Sequence, residues 1–582
     1  MVSLKQFATY TLVALCSAIV GYDPGCMNGV LGSDDFKQRY GVSNDGGKTM
    51  YLTPTTKSLF SSLAVIGALI GCFIPAAATN KIGRKGCFVL ASLSHMVGVC
   101  ILLAAPPAAV FILGRIFIGI ALGLITAISG AYLNEASSPG LRGSIFSILQ
   151  QLLTVGTVLS NGINWATKSL PGANSWRVSV GFQFLISIVM LSAGLVAPES
   201  PSVLVRWGRP VDAAQSLAIT QGIDASSDEI QTIIRRLEDD CRPSSTTDTK
   251  SDKGNSTPPP PPTTFATLLV ESFRGTALRR TLIVAAVSAL CLSTGFVFWT
   301  SYGTTFLADA GVSDAYMVSF ILALVQSAST VPTIWLTDIL GRRTLLLIGT
   351  SIMGLVLLLA GLLYTVLPAG AAPATQMLVA AAIIYMVAYG GTWGPVTWLV
   401  MAEPLSSRHR IPQTTVTFVV YWVTYLIIGF ATPFLVDKTA VNMGPYITYL
   451  WFGGVVVALV WVYMCVPELT GLSEGEIDML FEQRVPAWRS KAWKRAMRAS
   501  RDAEIEASRG EVRVVGVDAA TASAAADVDC EKGAGLVFVV ADAADADAAA
   551  DGDKEKKIGD DSKSLVVHEV KEVDSSSDSD RE

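Results

Sequence analysis

Histidine is almost missing from this sequence: among 582 residues only His95, His409 and His568 occur. A histidine-built metal site is therefore not expected. Charge is scarce as well, at 16% Asp, Glu, Lys and Arg, against about a quarter in soluble domains. The nine cysteines include no Cys-x-x-Cys pair, and Cys16, Cys72, Cys100, Cys291 and Cys465 sit inside apolar runs. They read as small packing residues rather than disulfides or metal ligands. No nucleophile–base pair, phosphate-binding loop or metal set stands out, so no enzyme, no cofactor and no nucleic-acid partner is expected. What the chain has in abundance is apolar sequence, 51% of its residues. In a chain of this length, the deficit of charge points to a core embedded in a lipid bilayer. The net charge of −5 says little, because the acidic excess lies after residue 502 while Lys and Arg border the apolar part.

A hydrocarbon core needs about 20 apolar residues per helix. Twelve stretches meet that length, approximately 7–31, 58–79, 86–105, 107–129, 143–166, 177–197, 281–307, 313–337, 344–367, 376–401, 412–436 and 446–467. The first outruns the apolar region of a signal peptide, contains Asp23 and lacks a small-residue cleavage pattern, so it reads as retained. Basic residues gather in alternate loops: Lys81, Arg84 and Lys85, then Arg142, then Arg342 and Arg343, then Arg408 and Arg410. The opposite loops carry few, apart from the mixed stretch 32–57 and single lysines such as Lys168 and Lys438. The positive-inside bias then places both termini and the even-numbered loops in the cytoplasm.

The expected architecture is an all-α membrane protein: a six-helix half over 1–199, a polar linker over 200–280, a second six-helix half over 281–467 and a cytoplasmic tail over 468–582. The linker holds helix-compatible text around 210–240, then a Pro-rich run that cannot build a core. Its sequon Asn255-Ser256-Thr257 falls on the cytoplasmic side and should stay unused. The tail opens with the amphipathic "SEGEIDMLFEQ" and continues with a basic run (Arg489, Lys491, Lys494, Arg495, Arg498, Arg501). That run suits either anionic lipid headgroups or a solvated helix. After about 502 the composition reads as disordered.

Duplication is the strongest organising signal. "GRK" at Gly83–Lys85 recurs as "GRR" at Gly341–Arg343, an offset of 258. Glu135 and Arg142 recur as Glu403 and Arg410 at an offset of 268, and Pro198-Glu199 recurs as Pro467-Glu468 at 269. Three matched motifs at nearly constant offset fit a transporter of two parallel halves with its solute site between them. Arg84, Lys85, Glu135, Arg142 and Glu199 in one half, with Asp338, Arg342, Arg343, Glu403, Arg410 and Glu468 in the other, can form a cytoplasmic gate that pairs and separates. The same charges could instead only fix topology.

These motifs resemble the sugar porter family of the major facilitator superfamily, in its fungal style. The resemblance covers roughly residues 7–485 and rests on "GYD" in helix 1, "GRIFIGIALG" in helix 4, "YLNEASSPGLRGS" after it, and "WRVSVGFQF" and "PESP" around helix 6. In the second half it rests on "DILGRR", "TWGPVTW" leading to Glu403, and "PELTGLSEGEIDMLFE". It implies the major facilitator fold, and carrier-type transport of sugars or related polyols and sugar acids by a monomer in the plasma membrane.

Ionisable groups inside hydrocarbon are costly and point to function. Asp23 and Arg115 each lie about eight residues from the outer ends of helices 1 and 4, or roughly 12 Å deep at 1.5 Å per residue. Matched depth and opposite charge suggest a pair. An Asp that loses and regains an Arg partner can take up and release a proton, and the resemblance implies this coupling role for Asp23 and Arg115. The alternative is a static structural pair in a facilitator.

On helix 5, Gln150, Thr154, Thr157, Asn161 and Asn164 share one face at 100° per residue. Such a face suits a polyhydroxyl solute, or else only bonds neighbouring helices. The resemblance adds Gln150, Gln326 with Thr330 one turn on, and Trp398 as solute-binding positions. Tyr302, Tyr421 and Tyr425 complete the set. Departures are informative. Where hexose carriers usually have amides in helix 7, this chain has Cys291, Leu292 and Val297, and helix 11 shows Tyr421, Trp422 and Tyr425 in place of "NWxxN". An ordinary hexose is therefore not the expected solute. Asn80 and Ser202 stand where the family has Asp and Arg, which should loosen the first-half gate. The leading expectation is a proton-coupled symporter of a sugar-like solute, with a facilitated uniporter and a non-transporting nutrient sensor as alternatives.

Overall fold

An apolar stretch in a bilayer must satisfy its own backbone, which a helix does. The computed structural model describes residues 4–43, 50–104, 107–136, 142–241, 265–366, 372–406, 409–437 and 439–499. Twelve helical spans follow from them. Span 1 is Leu4–Leu15 continued by Ala18–Gly32. Pro54–Ser62 leads into Ala64–Leu103, which holds spans 2 and 3 joined at Gly83. Span 4 is Ala108–Ala136 and span 5 is Arg142–Thr167. Span 6 joins Asn174–Gly181 to Gln183–Val196, and span 7 joins Gly275–Ser293 to Phe296–Asp309. Span 8 is Ala315–Thr330, bent by 46° into Thr333–Leu340. Span 9 is Arg342–Val366, and span 10 joins Ala372–Gly390 to Trp393–Ala402. Spans 11 and 12 are Arg410–Val436 and Ile447–Cys465.

Length and apolarity alone pick out all of these except spans 1 and 5. Span 1 is interrupted at Cys16–Ser17 and carries Asp23-Pro24, and span 5 carries its stripe of Gln, Thr and Asn. The break leaves span 1 in pieces of 12 and 15 residues, and polar content hides span 5.

The repeat seen in the sequence is a repeat of hydrogen bonds. Gly83 and Gly341 turn the chain at φ 76° and 85°, a region other residues rarely occupy. Each turn opens a helix whose first N–H groups face a carboxylate. Glu199 accepts from the backbone of Arg84 (2.8 Å) and Lys85 (3.3 Å), and Glu468 from that of Arg342 (3.1 Å) and Arg343 (3.2 Å). A carboxylate at a helix N-terminus satisfies orphan donors and the local dipole together.

Spans 2 and 4 pack backbone to backbone. A Cβ on Gly119 would lie 1.7 Å from the Ala64 carbonyl oxygen. Small residues permit such contact where no hydrophobic effect drives helices together. Gly119→Leu should therefore force the helices apart, and overpacking of this kind costs about 1–3 kcal/mol. A lower thermal midpoint in detergent is the expected result; an unchanged midpoint would contradict the packing described.

The linker helices Pro201–Arg206, Pro210–Gln221 and Asp228–Cys241 form a small core of their own around Leu204, Ala213, Leu217, Ile230 and Ile234. The Pro-rich part of the linker with its sequon, and the chain after residue 499, lie outside the described residues. The amphipathic segment after span 12 is Glu474–Glu482, started by a capping box of Ser473 and Glu476, with Ile477, Leu480 and Phe481 buried. Arg280, only 3% exposed, pairs with Asp478 at 2.7 Å and lies 4.6 Å from the Phe481 ring centroid. The chain through Lys491 thus belongs to the same compact unit as the spans.

Candidate functional site

The deepest charges in the bundle meet. Arg115 donates to Asp23 through Nη1 (2.5 Å) and Nη2 (3.0 Å), a two-pronged pair whose members are 1% and 2% exposed. Arg115 Nε also donates to the Phe60 carbonyl at 2.9 Å, and Nη2 to that of Ser61 at 3.4 Å. Those carbonyls are available because the helix Pro54–Ser62 ends at that point. Every nitrogen of the guanidinium donates, in four hydrogen bonds among the described contacts, and the carboxylate depends on it alone for strong donors there.

Asp23 and Arg115 border a cavity between the halves. The first half contributes Gly21, Pro24, Gln150, Leu153 and Thr157 among others, and the second contributes aromatic rings from spans 7, 10 and 11. Broken helices aim those rings. Gly295, at φ 105°, separates the two parts of span 7 and turns Phe296 and Thr300 to the cavity. The break at Thr392 does the same for Thr397 and Trp398 in span 10. Trp398 Nε1 donates to Gln150 Oε1 at 2.6 Å, which ties one half to the other across the cavity.

The expected solute residues therefore separate into two groups. Gln150, Trp398, Tyr421 and Tyr425 line the cavity with Asp23 and Arg115. Thr154 instead donates to Ser327 (3.2 Å), Asn161 to the Thr157 carbonyl (2.9 Å), Asn164 to the Gly25 carbonyl (2.8 Å) and Tyr302 to the Gly429 carbonyl (2.7 Å). Gln326 is buried with its Nε2 unbonded, and Thr330 donates to the Gly390 carbonyl at 3.1 Å. Most of the helix 5 stripe thus holds helices together in this conformation. Phe296, Tyr389 and Thr397 line the cavity and were not singled out, because no polar periodicity marks them.

The gate charges pair inside their own halves. Arg84 reaches Glu135 at 2.8 Å, and Ser200 donates to the other oxygen of Glu135. Arg342 reaches Glu403 at 3.0 Å and Asp338 at 3.2 Å, while Arg410 reaches Glu474 at 2.9 Å. Lys85 donates to the Leu195 carbonyl, and Arg343 to those of Tyr463 and Ala487. The Arg142 side chain lies outside the described residues. Asn80, expected to loosen this face, accepts from Arg206 at 3.1 Å, and its carbonyl accepts from the Trp207 indole at 2.7 Å. A nearby arginine supplies the link that Ser202 does not.

On the opposite face the two halves are bound to each other. Lys57 pairs with Asp437 at 2.9 Å, and Lys168 with Asp314 at 2.5 Å. Trp165 stacks on Phe320 at 5.8 Å, Tyr316 donates to the Gly29 carbonyl and Asn28 accepts from the Thr304 amide. Burial alone would raise both carboxyls. For Asp314, bonds from Lys168, the Met317 amide and Trp165 outweigh it; for Asp437, Lys57 and Thr439 do so, and both acids lie below their ordinary value.

Comparison with known proteins bears on the family and the fold. The profile of the "Sugar (and other) transporter" family matches residues 9–481. The low-affinity glucose transporter HXT4 of Saccharomyces cerevisiae is 27% identical over 84% of this chain and 84% of its own length. The high glucose sensor RGT2 of the same species is 28% identical over 84% of this chain and 62% of its own. Among solved structures, the proton:xylose symporter XylE bound to 6-bromo-6-deoxy-D-glucose aligns with a TM-score of 0.67 at 19% identity, covering 83% of this chain and 100% of that one.

Proposed function

We propose a mechanism from one premise: this chain belongs to the sugar transporter family, and is a multi-pass membrane transporter rather than an enzyme. In our reading it is a proton-coupled symporter of a sugar-like solute, working by alternating access. The motif turns and both termini face the cytoplasm, and the chain resides in the plasma membrane. The observation that carries the reading is the buried Asp23–Arg115 pair on the wall of the cavity that also holds Gln150 and Trp398.

The mechanism follows from what each group can do. While Arg115 holds Asp23, the carboxylate stays charged in a site otherwise hostile to charge. When the halves rock and Arg115 turns away, the unpaired carboxylate is favoured in its protonated form. Proton occupancy then depends on which way the cavity faces, and solute contacts to Gln150 and Trp398 depend on the same motion. Those two dependences couple the flows.

The lysine–aspartate pairs close the outer face in the conformation described here, and the charges around Arg84 and Arg342 brace each half for the reverse closure. Transport-deficient cells expressing the protein should take up at least one labelled member of a hexose, pentose, disaccharide, quinate and polyol panel, and a protonophore should abolish its accumulation. Uptake that survives the protonophore undiminished would make the protein a uniporter. No uptake of any member would favour a sensor.

A further inference from the structure

The second-half wall of the cavity is an unusual surface for a free sugar. Gln150 is the one carboxamide among the described lining residues, and its oxygen already accepts from Trp398. Three other polar groups on the wall are also committed. Tyr425 shares its hydroxyl with Ser301 (2.9 Å), Tyr389 with Cys291 (3.1 Å), and Thr300 donates to the Phe296 carbonyl (3.1 Å). Thr397 Oγ1 and Trp422 Nε1 are buried without a hydrogen bond. A pyranose carries several hydroxyls, each both donor and acceptor, and this wall can meet few of them.

What the wall does offer is a run of rings in mutual contact. Trp398 lies 5.9 Å from Tyr421, Tyr421 lies 5.3 Å from Trp422 at 90°, and Trp422 lies 5.8 Å from Tyr425. On the same second-half wall Phe296 and Tyr389 stack in parallel at 4.2 Å and 7°. Such rings prefer offset-stacked or edge-to-face neighbours and lose nothing by burying an apolar one. The other wall keeps spare polar capacity beside its own bonds. Thr157 donates to the Gly21 carbonyl at 3.2 Å and Arg115 holds Asp23, while the Gln150 Nε2 group and further lone pairs of the Asp23 carboxylate carry no bond among the described contacts.

We infer that the solute is two-faced: a polyhydroxylated ring held by the first half, bearing an aryl or similarly flat apolar substituent that packs between the rings of spans 7, 10 and 11. An aryl glycoside has this chemistry; a free hexose and a disaccharide do not. The inference rests on the reading of the cavity as the solute site.

The test uses the full chain purified in detergent, with binding followed by tryptophan fluorescence and uptake followed in transport-deficient cells. The probes are 4-nitrophenyl glucosides of both anomers, methyl glucosides, glucose and maltose. The aryl glucosides should bind about tenfold more tightly than the methyl glucosides, since one ring-on-ring contact contributes on that scale. Tyr421→Leu should reduce this preference to about threefold or less while elution stays monodisperse, and Tyr421→Asn should shift affinity toward glucose. Equal affinity for aryl and methyl glucosides, or tighter binding of maltose, would overturn the inference and leave sugar transport intact. Failure of every probe to bind would instead sink the underlying reading of the cavity, and this inference with it.

Discussion

Asp23→Asn should abolish accumulation of the solute while leaving its exchange across the membrane. An inward gradient of one pH unit is worth 1.36 kcal/mol per proton, so one-proton coupling supports about tenfold accumulation. With Asn in place, the internal-to-external ratio should settle near about 1 at any external pH, since no group in the cavity then exchanges a proton in step with the motion. Exchange should persist because Asn keeps the shape and one acceptor for Arg115, which retains the Phe60 and Ser61 carbonyls. The reciprocal change is harsher. Arg115→Leu leaves a carboxylate buried without its partner, and losing one member of such a pair costs about 3–5 kcal/mol. That variant should express poorly, with Arg115→Lys recovering part of the yield because Lys supplies a point charge without the fork. Measured label ratios with and without a protonophore check the first expectation, and fluorescence size-exclusion yields check the second.

In the orientation we propose, breaking both lysine–aspartate pairs between the halves should turn the protein outward. Lys57–Asp437 and Lys168–Asp314 join the halves on one face, with side chains between 11% and 32% exposed. Partly exposed pairs contribute about 1 kcal/mol or less each, so Asp314→Ala combined with Asp437→Ala should shift the population outward by up to about 30-fold. A cysteine placed at Thr300 would report this as faster labelling from outside by an impermeant reagent.

The pH dependence of this closure has a definite sign. Both carboxyls lie below their ordinary value in the closed form. Their contribution is therefore complete above the free carboxyl value of about 4 and is lost only as pH falls through the lower, paired value. Mild external acid, at about pH 5, should leave the closure untouched. With Asp23→Asn in the background, so that the coupling carboxylate does not itself shift the equilibrium, a labelling rate that rises between neutral pH and about 5 with both pairs intact would contradict this.

Much of the bundle is legible in the sequence because lipid leaves the backbone few choices. Each of the twelve apolar stretches coincides with a span, and the Gly83 and Gly341 turns reappear as matching hydrogen-bond sets. The Asp23–Arg115 contact is legible for a related reason: rise per residue fixes depth, and depth in a slab is nearly a coordinate. Lateral position has no such ruler. A helical face at 100° per residue groups Thr154, Asn161 and Asn164 with Gln150, yet only packing decides that these three bond Ser327, a turn of their own helix and Gly25.

The aromatic wall was half visible. Tyr421 and Tyr425 stand out as replacements for amides, whereas Phe296 looks like any apolar helix residue until the break at Gly295 turns span 7, and Tyr389 does so on span 10 just before its break at Thr392. The outer pairs were hidden for a different reason. Lys168 is a single charge beside a helix end, and its partner Asp314 lies 146 residues away in the other half. Charges at the gate showed up through their repetition, but repetition could not say that Arg84 and Arg342 bond Glu135 and Glu403 within their own halves.

The most direct measurement is the proton itself. Purified protein in sealed vesicles containing a trapped pH indicator, with no imposed gradient, should acidify the interior when a transported solute is added outside, and the Asp23→Asn protein should not. Solute entry with no change in internal pH in the parent protein would contradict the account, because the carboxylate would then be a structural anchor and the carrier a uniporter.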